Sequence, residues 1–191
     1  IGGVRTALFN YLFSKMNDGK FFIRIEDTDR ARWNENSEKA LLEGLAWLDI
    51  KADGEPISQY SRRQRHLEVA RKMLKEGTAY RCYLSQEEYR LSKDEYQREN
   101  PEEKFLSPWR DLNSFTEEPF VVRLKTPIGG STLVSDIIQG QISWSNKDLD
   151  DFVLVRSNGD PTYMLSAVVD DHDMEISHII RGDDHLTNAA R

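Results

Sequence analysis

The amino-acid sequence predicts an α/β domain whose parallel sheet is interrupted by a small α+β insertion. Three observations predict it. The run Phe21-Phe22-Ile23-Arg24-Ile25 is apolar and β-prone and stops at Glu26, Asp27 and Asp29. A buried parallel strand that delivers its carboxyl end to a site reads this way. Ile176–Arg181 repeats the design and stops at Arg181-Gly182-Asp183-Asp184-His185. Between the two, helical periodicity up to about residue 80 gives way to short β-prone runs separated by Gly, Asn and Asp turns.

Ile1-Gly2-Gly3 leads into a first helix, because Leu8, Tyr11 and Leu12 fall at helical spacing, as do Phe9 and Phe13. Gly19 reads as its C′ stop, and Lys20 opens the first strand. Glycines at a helix start permit close backbone approach to a ligand, and a helix N-terminus favours anions such as phosphate. An ordinary turn is the other reading of Gly2-Gly3. Asn34 or Asn36 caps a second helix through Leu48, with Ala40, Leu41, Leu45 and Leu48 as its apolar face. Gly54 and Pro56 break it. Ser61-x-x-Gln64 reads as a capping box for a third helix, which ends at Gly77 and has Leu67, Ala70, Met73 and Leu74 as its core stripe. Its other face carries Arg62, Arg63, Arg65, Arg71, Lys72 and Lys75 against Glu68 and Glu76. That face is either a solvated one laced with salt bridges or a contact for an RNA backbone.

Ala79–Leu84 alternates like a strand, and Ser85-x-x-Glu88 caps a short helix. Residues 93–104 are charged and form an exposed helix or loop, and Arg110–Pro119 reads as irregular connection. Phe120–Lys125, Thr132–Asp136, Gln141–Ser145 and Phe152–Arg156 read as an antiparallel meander. The insertion therefore runs over about 81–160, between a first segment at 1–80 and a return at 161–191. Ser157–Pro161 is a turn, and Thr162–Asp171 a helix. His172 stands among Asp170, Asp171 and Asp173, which are adjacent rather than at metal-ligand spacing and read as an acidic helix end. Thr187 or Asn188 starts a further helix.

At 191 residues, with 38% hydrophobic and 31% charged residues, the chain can build a globular core under a heavily solvated surface. The net charge of −7 argues against a generally basic nucleic-acid coat but leaves room for a local basic face. Cys82 is the single cysteine, so there is no internal disulfide and no cysteine-built metal site. No apolar run approaches the ~20 residues of a membrane span, and no secretory signal is visible. The expectation is a cytoplasmic protein without a membrane partner. The absence of an initial Met and the ending inside a helix start are read as those of a fragment.

If the two strands are neighbours, Glu26 and Arg181 stand together at their carboxyl ends. A carboxylate for an ammonium and a guanidinium fork for a carboxylate are what a zwitterionic amino acid needs. A glycine-led helix N-terminus beside them would suit a nucleotide phosphate. The residue chemistry reaches as far as an amino acid with a nucleotide.

Five segments carry a resemblance further. They are Ile1-Gly2-Gly3-Val4-Arg5-Thr6-Ala7-Leu8-Phe9-Asn10; Arg24-Ile25-Glu26-Asp27-Thr28-Asp29; Asp160-Pro161-Thr162-Tyr163; Val168-Val169-Asp170-Asp171-His172; and Ile180-Arg181-Gly182-Asp183-Asp184-His185-Leu186. In this order they resemble the catalytic domain of bacterial glutamyl-tRNA synthetases, which are class I aminoacyl-tRNA synthetases. The resemblance spans essentially the whole chain. It implies a Rossmann-type parallel-sheet catalytic domain with an inserted small α+β acceptor-stem-binding domain. It also implies a two-step reaction, with L-glutamate, ATP accompanied by Mg²⁺, and tRNA(Glu) as partners, and a monomer.

By the same resemblance Glu26 binds the substrate ammonium, and Tyr163, Ser166 and Ala167 line the glutamate pocket. Arg181 binds a substrate carboxylate, and Gly2, Gly3 and Asp184 lie toward ATP. Asp29 and Arg32 lie toward the tRNA 3′ end, and Arg62, Arg63 and Arg65 face the acceptor stem. Asp27 is left as structural. The signature His of the His-Ile-Gly-Gly motif would precede Ile1, and an Arg and a Ser that contact glutamate would lie further upstream. The KMSKS-type lysine loop and the anticodon-binding region would follow Arg191. The fragment alone is therefore expected to be inactive. Some members carry a cysteine-rich zinc site near Cys82; with one cysteine here, no zinc is expected. Many members have Asn where Ala167 stands.

Two other readings stay open beside it. One is the paralogue that attaches glutamate to a base of tRNA(Asp). The other is a non-catalytic RNA-binding module of the same fold. Glutaminyl-tRNA synthetase is disfavoured by Ile25-Glu26-Asp27 where that family has Phe-Asp-Asp.

Overall fold

The computed structural model describes residues 2–29, 33–112 and 116–191. Helix α1 spans Gly2–Met16. It stops in a Schellman-like arrangement: Asp18 takes the left-handed conformation (φ 50°), and Gly19 N–H donates to Ser14 O at 2.8 Å. The left-handed residue is thus Asp18, not Gly19; a short Asp tolerates this conformation.

The predicted first strand is only β1, Arg24–Ile25, and it pairs in parallel with β2, Ile57–Ser58. Sequence reading had not placed β2. The parallel alignment continues on either side: Asp53 N–H donates to Phe21 O (2.8 Å) and Gln59 N–H to Ile25 O (3.0 Å). Between the strands lies α2, Glu35–Trp47, capped as expected by Asn34, whose Oδ1 accepts from Asn36 N–H. Phe21, Leu45 and Ile50 form the core of this unit, with Ala7 and Tyr11 of α1 packed on it.

Helix α3, Arg63–Glu76, follows a 3₁₀ turn at Tyr60–Arg62 and ends at Gly77, left-handed at φ 75°. Ser61 does not cap it. Its hydroxyl donates to Ser58 O and its N–H to Ser58 Oγ, so the 3₁₀ turn claims the groups a capping box needs. Ser85 and Glu88 do make the reciprocal capping box, at the start of α4, Gln86–Glu99.

The meander is interrupted. Strand β4, Val121–Leu124, lies between β3, Ala79–Cys82, and β7, Val153–Val155, in an antiparallel sheet. Strands β5, Ser131–Asp136, and β6, Gly140–Ser145, form a separate hairpin. The hairpin is paired over six residue positions and joins no other described strand. Helix α5, Tyr163–Asp173, returns against the sheet. Ala70 of α3, Ala79, Val122, Leu154 and Val155 of the sheet, and Leu165 and Val169 of α5 share one core. That core runs unbroken across residues 80 and 160.

Ile176–Arg181 is not a strand among the described residues. Its Ile176 and Ile179 are 40% and 64% exposed, because no described strand lies beside it to accept its ladder. The segment has no regular secondary structure and is followed by a 3₁₀ turn and α6, Leu186–Ala190.

Candidate functional site

The end of β1 is fixed by Asp27. This residue is 5% exposed; its carboxylate accepts Ser58 Oγ–H at 2.8 Å and Tyr60 N–H at 2.9 Å, tying the strand end to β2 and its turn. Asp27 is therefore structural. It holds the chain end where Glu26 stands among several charged groups.

Those charges are Arg24 on β1, Asp171 and Tyr163 on α5, and Arg181 and His185 near the C-terminus. Arg24 Nη1 donates to Asp171 Oδ1 at 2.6 Å. The Arg181 guanidinium lies 5.6 Å from the centre of the Tyr163 ring, within cation–π reach. Desolvation raises the Glu26 carboxyl above its ordinary value, opposed first by Arg24 and then by Arg181. Desolvation also raises the Tyr163 phenol, with Glu26 adding to it.

Arg181 reaches this place without a sheet. Asn10 Nδ2 of α1 donates to Ile180 O at 3.2 Å, and Phe13 packs on the His178 ring at 4.7 Å. Helix α1 thus positions Arg181 at one end and presents Gly2-Gly3 at its own N-terminus. A Cβ at Gly3 would meet nothing within 4 Å, and the first turn carries no acidic residue. An uncompensated positive helix end of this kind suits a phosphate. Asp184 is exposed in the 3₁₀ turn that follows Arg181. No three His, Cys, Asp or Glu side chains converge as a metal cage among the described residues.

The structure brings Glu26, Tyr163 and Arg181 together. It sends other predicted residues elsewhere. Ser166 is fully buried, and its hydroxyl faces His66 Nδ1 at 3.2 Å instead of opening on the Glu26 group. Ala167 is buried at 5% exposure. Asp29 is half-buried, and its carbonyl accepts Trp33 N–H; Arg32 lies outside the described residues.

Arg62, Arg63 and Arg65 are not a free basic face. Arg62 Nε donates to Asp170 at 2.6 Å and its Nη2 to Asp173 at 2.7 Å. Arg65 Nε donates to Asp173 at 2.9 Å, and Arg63 Nε to Asp160 at 3.0 Å. The acidic end of α5 and its preceding turn neutralise the arginines, so their first role is to join α3 to α5. Arg65 and Arg62 in turn hold the Asp173 carboxyl well below its ordinary value.

Sequence reading missed this junction. His66, Gln59, Ser166 and Asp170 are each 0% exposed. Ser166, His66 and Asp170 form a chain, with Asp170 accepting from His66 Nε2 at 2.8 Å and Ser166 Oγ 3.2 Å from Nδ1, the reverse of the ring-nitrogen use in a hydrolytic triad. Sealed from solvent and shared with Arg62, they are a structural network rather than a nucleophile. One signal was available: Ser166, Asp170 and Asp173 fall at helical spacing on one face of α5, which no solvated acidic end requires.

The junction yields a stability prediction. Arg62→Ala is expected to cost about 1.5–3 kcal/mol, because it strips a charged donor from a buried carboxylate. Arg65→Ala, on an exposed pair, is expected to cost about 0–1 kcal/mol. Urea titration checks the ranking, with Arg71→Ala as a surface control. An Arg62 variant no weaker than that control would remove the junction.

Known proteins resemble the chain along its whole length. The family described as tRNA synthetases class I (E and Q), catalytic domain, matches residues 1–191. The chain is 53% identical to glutamate–tRNA ligase 2 of Paracoccus denitrificans, covering 100% of this chain and 41% of that ligase. It is 51% identical to glutamate–tRNA ligase 1 of Cereibacter sphaeroides, with the same coverage. A crystal structure of a glutamate–tRNA ligase from Elizabethkingia meningosepticum, in complex with its amino acid, superposes with a TM-score of 0.86 at 34% identity. It covers 99% of this chain and 42% of that one. The chain therefore spans about two fifths of the length of these relatives.

Proposed function

The chain belongs to the class I tRNA synthetases (E and Q), catalytic domain, and from that membership we propose that the protein containing it is a glutamate–tRNA ligase. The observation that supports the reading is that Arg181, over the Tyr163 ring, lies within electrostatic range of Glu26, so that charges of both signs are offered to an amino acid. Glutamate's carboxylate oxygen attacks the α-phosphorus of ATP, giving glutamyl-adenylate and releasing pyrophosphate. The terminal ribose hydroxyl of tRNA(Glu) then attacks the carbonyl carbon, and AMP leaves.

In this reading Glu26 receives the substrate ammonium, and Arg181 a substrate carboxylate. The Tyr163 ring forms a wall that orients both. Ala167 is buried on the same helix, and Ser166 ties that helix to α3 through His66. Gly2 and Gly3 offer the positive end of α1 to the ATP phosphates, with Asp184 on the same side. These groups act by positioning and by fixed charge, which suits a displacement at phosphorus that needs no covalent help from the protein. Mg²⁺ would enter on the ATP phosphates, since the described residues build no cage of their own for it. Residues 81–160 form the acceptor-stem-binding insertion, and Asp29 and Arg32 lie toward the tRNA 3′ end. The protein acts as a cytoplasmic monomer.

ATP–pyrophosphate exchange by the intact protein, run with its tRNA, tests the reading. Exchange should depend on glutamate and not on glutamine; a preference for glutamine would sink it. Glu26→Gln should raise the glutamate KM about tenfold to a hundredfold, by removing a charged contact worth about 1.5–3 kcal/mol, and leave the ATP KM unchanged. An unaltered glutamate KM would remove Glu26 from the role.

A further inference from the structure

Residues 177–181 run from the end of α5 to the 3₁₀ turn without regular structure. Behind them, Ile176 N–H donates to Asp171 O at 2.9 Å and closes the end of α5. Ahead of them, the next backbone bond is from His185 N–H to Gly182 O at 3.0 Å. Among the described residues, the backbone of 177–181 makes a single hydrogen bond: Ile180 O accepts from Asn10 Nδ2 at 3.2 Å. The same nitrogen of this half-buried side chain also donates to Thr6 O, one turn back in α1, at 2.9 Å. That bond holds the amide in place and leaves its second N–H for Ile180. Asn17 makes the same bond to its own Phe13 O at 2.8 Å and reaches no other element among the described residues. Phe13, on the same side of α1 as Asn10, packs on the His178 ring.

We propose that Asn10 is a positioning residue for the amino-acid site: its amide fixes the peptide before Arg181, so that the guanidinium stands by Tyr163 in the direction a carboxylate needs. The proposal rests on the reading of Arg181 given above. A peptide unit is planar, so holding Ile180 O also holds the nitrogen of Arg181 and the direction in which its side chain starts. Gly182 follows immediately and sets no such limit from the other side. The Arg181 side chain is exposed, and the Tyr163 ring at 5.6 Å steadies its head. Its root is steadied from α1. A guanidinium fork binds a carboxylate through two parallel hydrogen bonds, and this makes it sensitive to direction as a point charge is not. A slack root therefore weakens carboxylate binding without removing the charge.

The intact protein and its variants, each run with tRNA, are assayed by glutamate-dependent ATP–pyrophosphate exchange. Asn10→Ala removes the donor and keeps a good helix former. Asn10→Asp keeps the shape and sets an acceptor against the carbonyls of Thr6 and Ile180. Both should raise the glutamate KM about threefold to tenfold, as the loss of one hydrogen bond does, and leave the ATP KM unchanged. Asn17→Ala, which loses only the bond to Phe13 O, should leave both values unchanged. General loosening of α1 would raise the ATP KM as well, because the same helix presents Gly2 and Gly3; that outcome, or an unaltered glutamate KM in Asn10→Ala, overturns the proposal. Arg181→Gln supplies a second decision. In its background Asn10→Ala should raise the glutamate KM no further, and a full further rise would mean that Asn10 acts through something other than Arg181. If Asn10→Asp does not fold, or Arg181→Gln is too slow to assay, the two KM values of Asn10→Ala decide alone. Arg181→Gln with a wild-type glutamate KM, or a wild-type protein without glutamate-dependent exchange, would instead overturn the underlying reading.

Discussion

Asp151→Asn is expected to lower the unfolding free energy by about 3–5 kcal/mol, the range for breaking a buried charge pair from one side. Asp151 is 1% exposed. Its carboxylate accepts from Arg110 Nη1, from Thr126 N–H at 3.1 Å and from Thr126 Oγ1–H at 2.6 Å, with Lys104 Nζ at 3.6 Å. The Arg110 and Lys104 side chains are themselves 8% and 3% exposed. Without the carboxylate, two cations stay buried with uncharged acceptors alone: Thr126 O accepts from Arg110 Nη2 at 2.8 Å, and Pro127 O (3.0 Å) and Thr126 Oγ1 accept from Lys104 Nζ. Burial already pushes the Lys104 ammonium below its ordinary value, and Asp151 is the chief group that opposes it. The variant therefore gives Lys104 reason to shed its proton, and its stability should recover on the alkaline side. Urea unfolding followed at Trp109, next to Arg110, measures the loss. A loss of about 1 kcal/mol, the worth of one ordinary hydrogen bond, would mean the site is wet. Replacing Asp151, Arg110 and Lys104 together by apolar residues should restore most of the stability, since no charge is then stranded.

None of this network was legible in the sequence, and the reason is physical. Asp151, Arg110, Lys104 and Thr126 lie on four separate stretches, and each alone looks like a solvated residue of a polar loop. Only the antiparallel pairing of β4 with β7 brings the neighbours of Thr126 and Asp151 together. What could be read was local. Ser85 and Glu88 announced the start of α4, Asn34 that of α2, and Gly77 the end of α3, because capping needs only residues a few positions apart. The apolar stripe of α3 was read as core, and its Ala70 lies in the shared core with Leu67, Met73 and Leu74 packed on it.

Strand reading fared worse, because a strand exists only with a partner. Phe21–Ile25 and Ile176–Ile180 are both runs rich in apolar residues that stop at charge. The first found Ile57–Ser58 and kept a short ladder; the second found no described partner and formed no strand. The candidate site shows the same division. Pairing Glu26 with Arg181 required only that both runs end at one place, and both do, although α1 rather than a sheet brings Arg181 there. Assigning Arg62, Arg63 and Arg65 to RNA required knowing that nothing within the chain neutralised them. Asp170, Asp173 and Asp160 do so, from about a hundred residues away.

Asp170→Asn tests that long-range junction, and its expected cost at neutral pH is about 3 kcal/mol. The carboxylate is 0% exposed and accepts from Arg62 Nε at 2.6 Å, His66 Nε2 at 2.8 Å and Gln59 Nε2 at 3.1 Å. The loss should be smaller than at Asp151, because Arg62 is 29% exposed and keeps Asp173 at 2.7 Å. Asn preserves the shape, so the change reports charge and not volume. Its pH dependence has a definite sign. Burial raises the Asp170 carboxyl, but the hydrogen bonds from Arg62, His66 and Gln59 outweigh burial and leave it below its ordinary value of 3.8. A carboxyl lowered by folding adds stability that is whole above the unfolded value and is lost as pH falls through the folded one. The gap between wild type and Asp170→Asn should therefore stay level from about pH 7 to about pH 5 and narrow below about pH 4. Urea titrations of both proteins across that range measure the gap directly. A gap that widens on acidification would mean that Asp170 is held as the neutral acid, and that α3 and α5 are joined by something other than its charge.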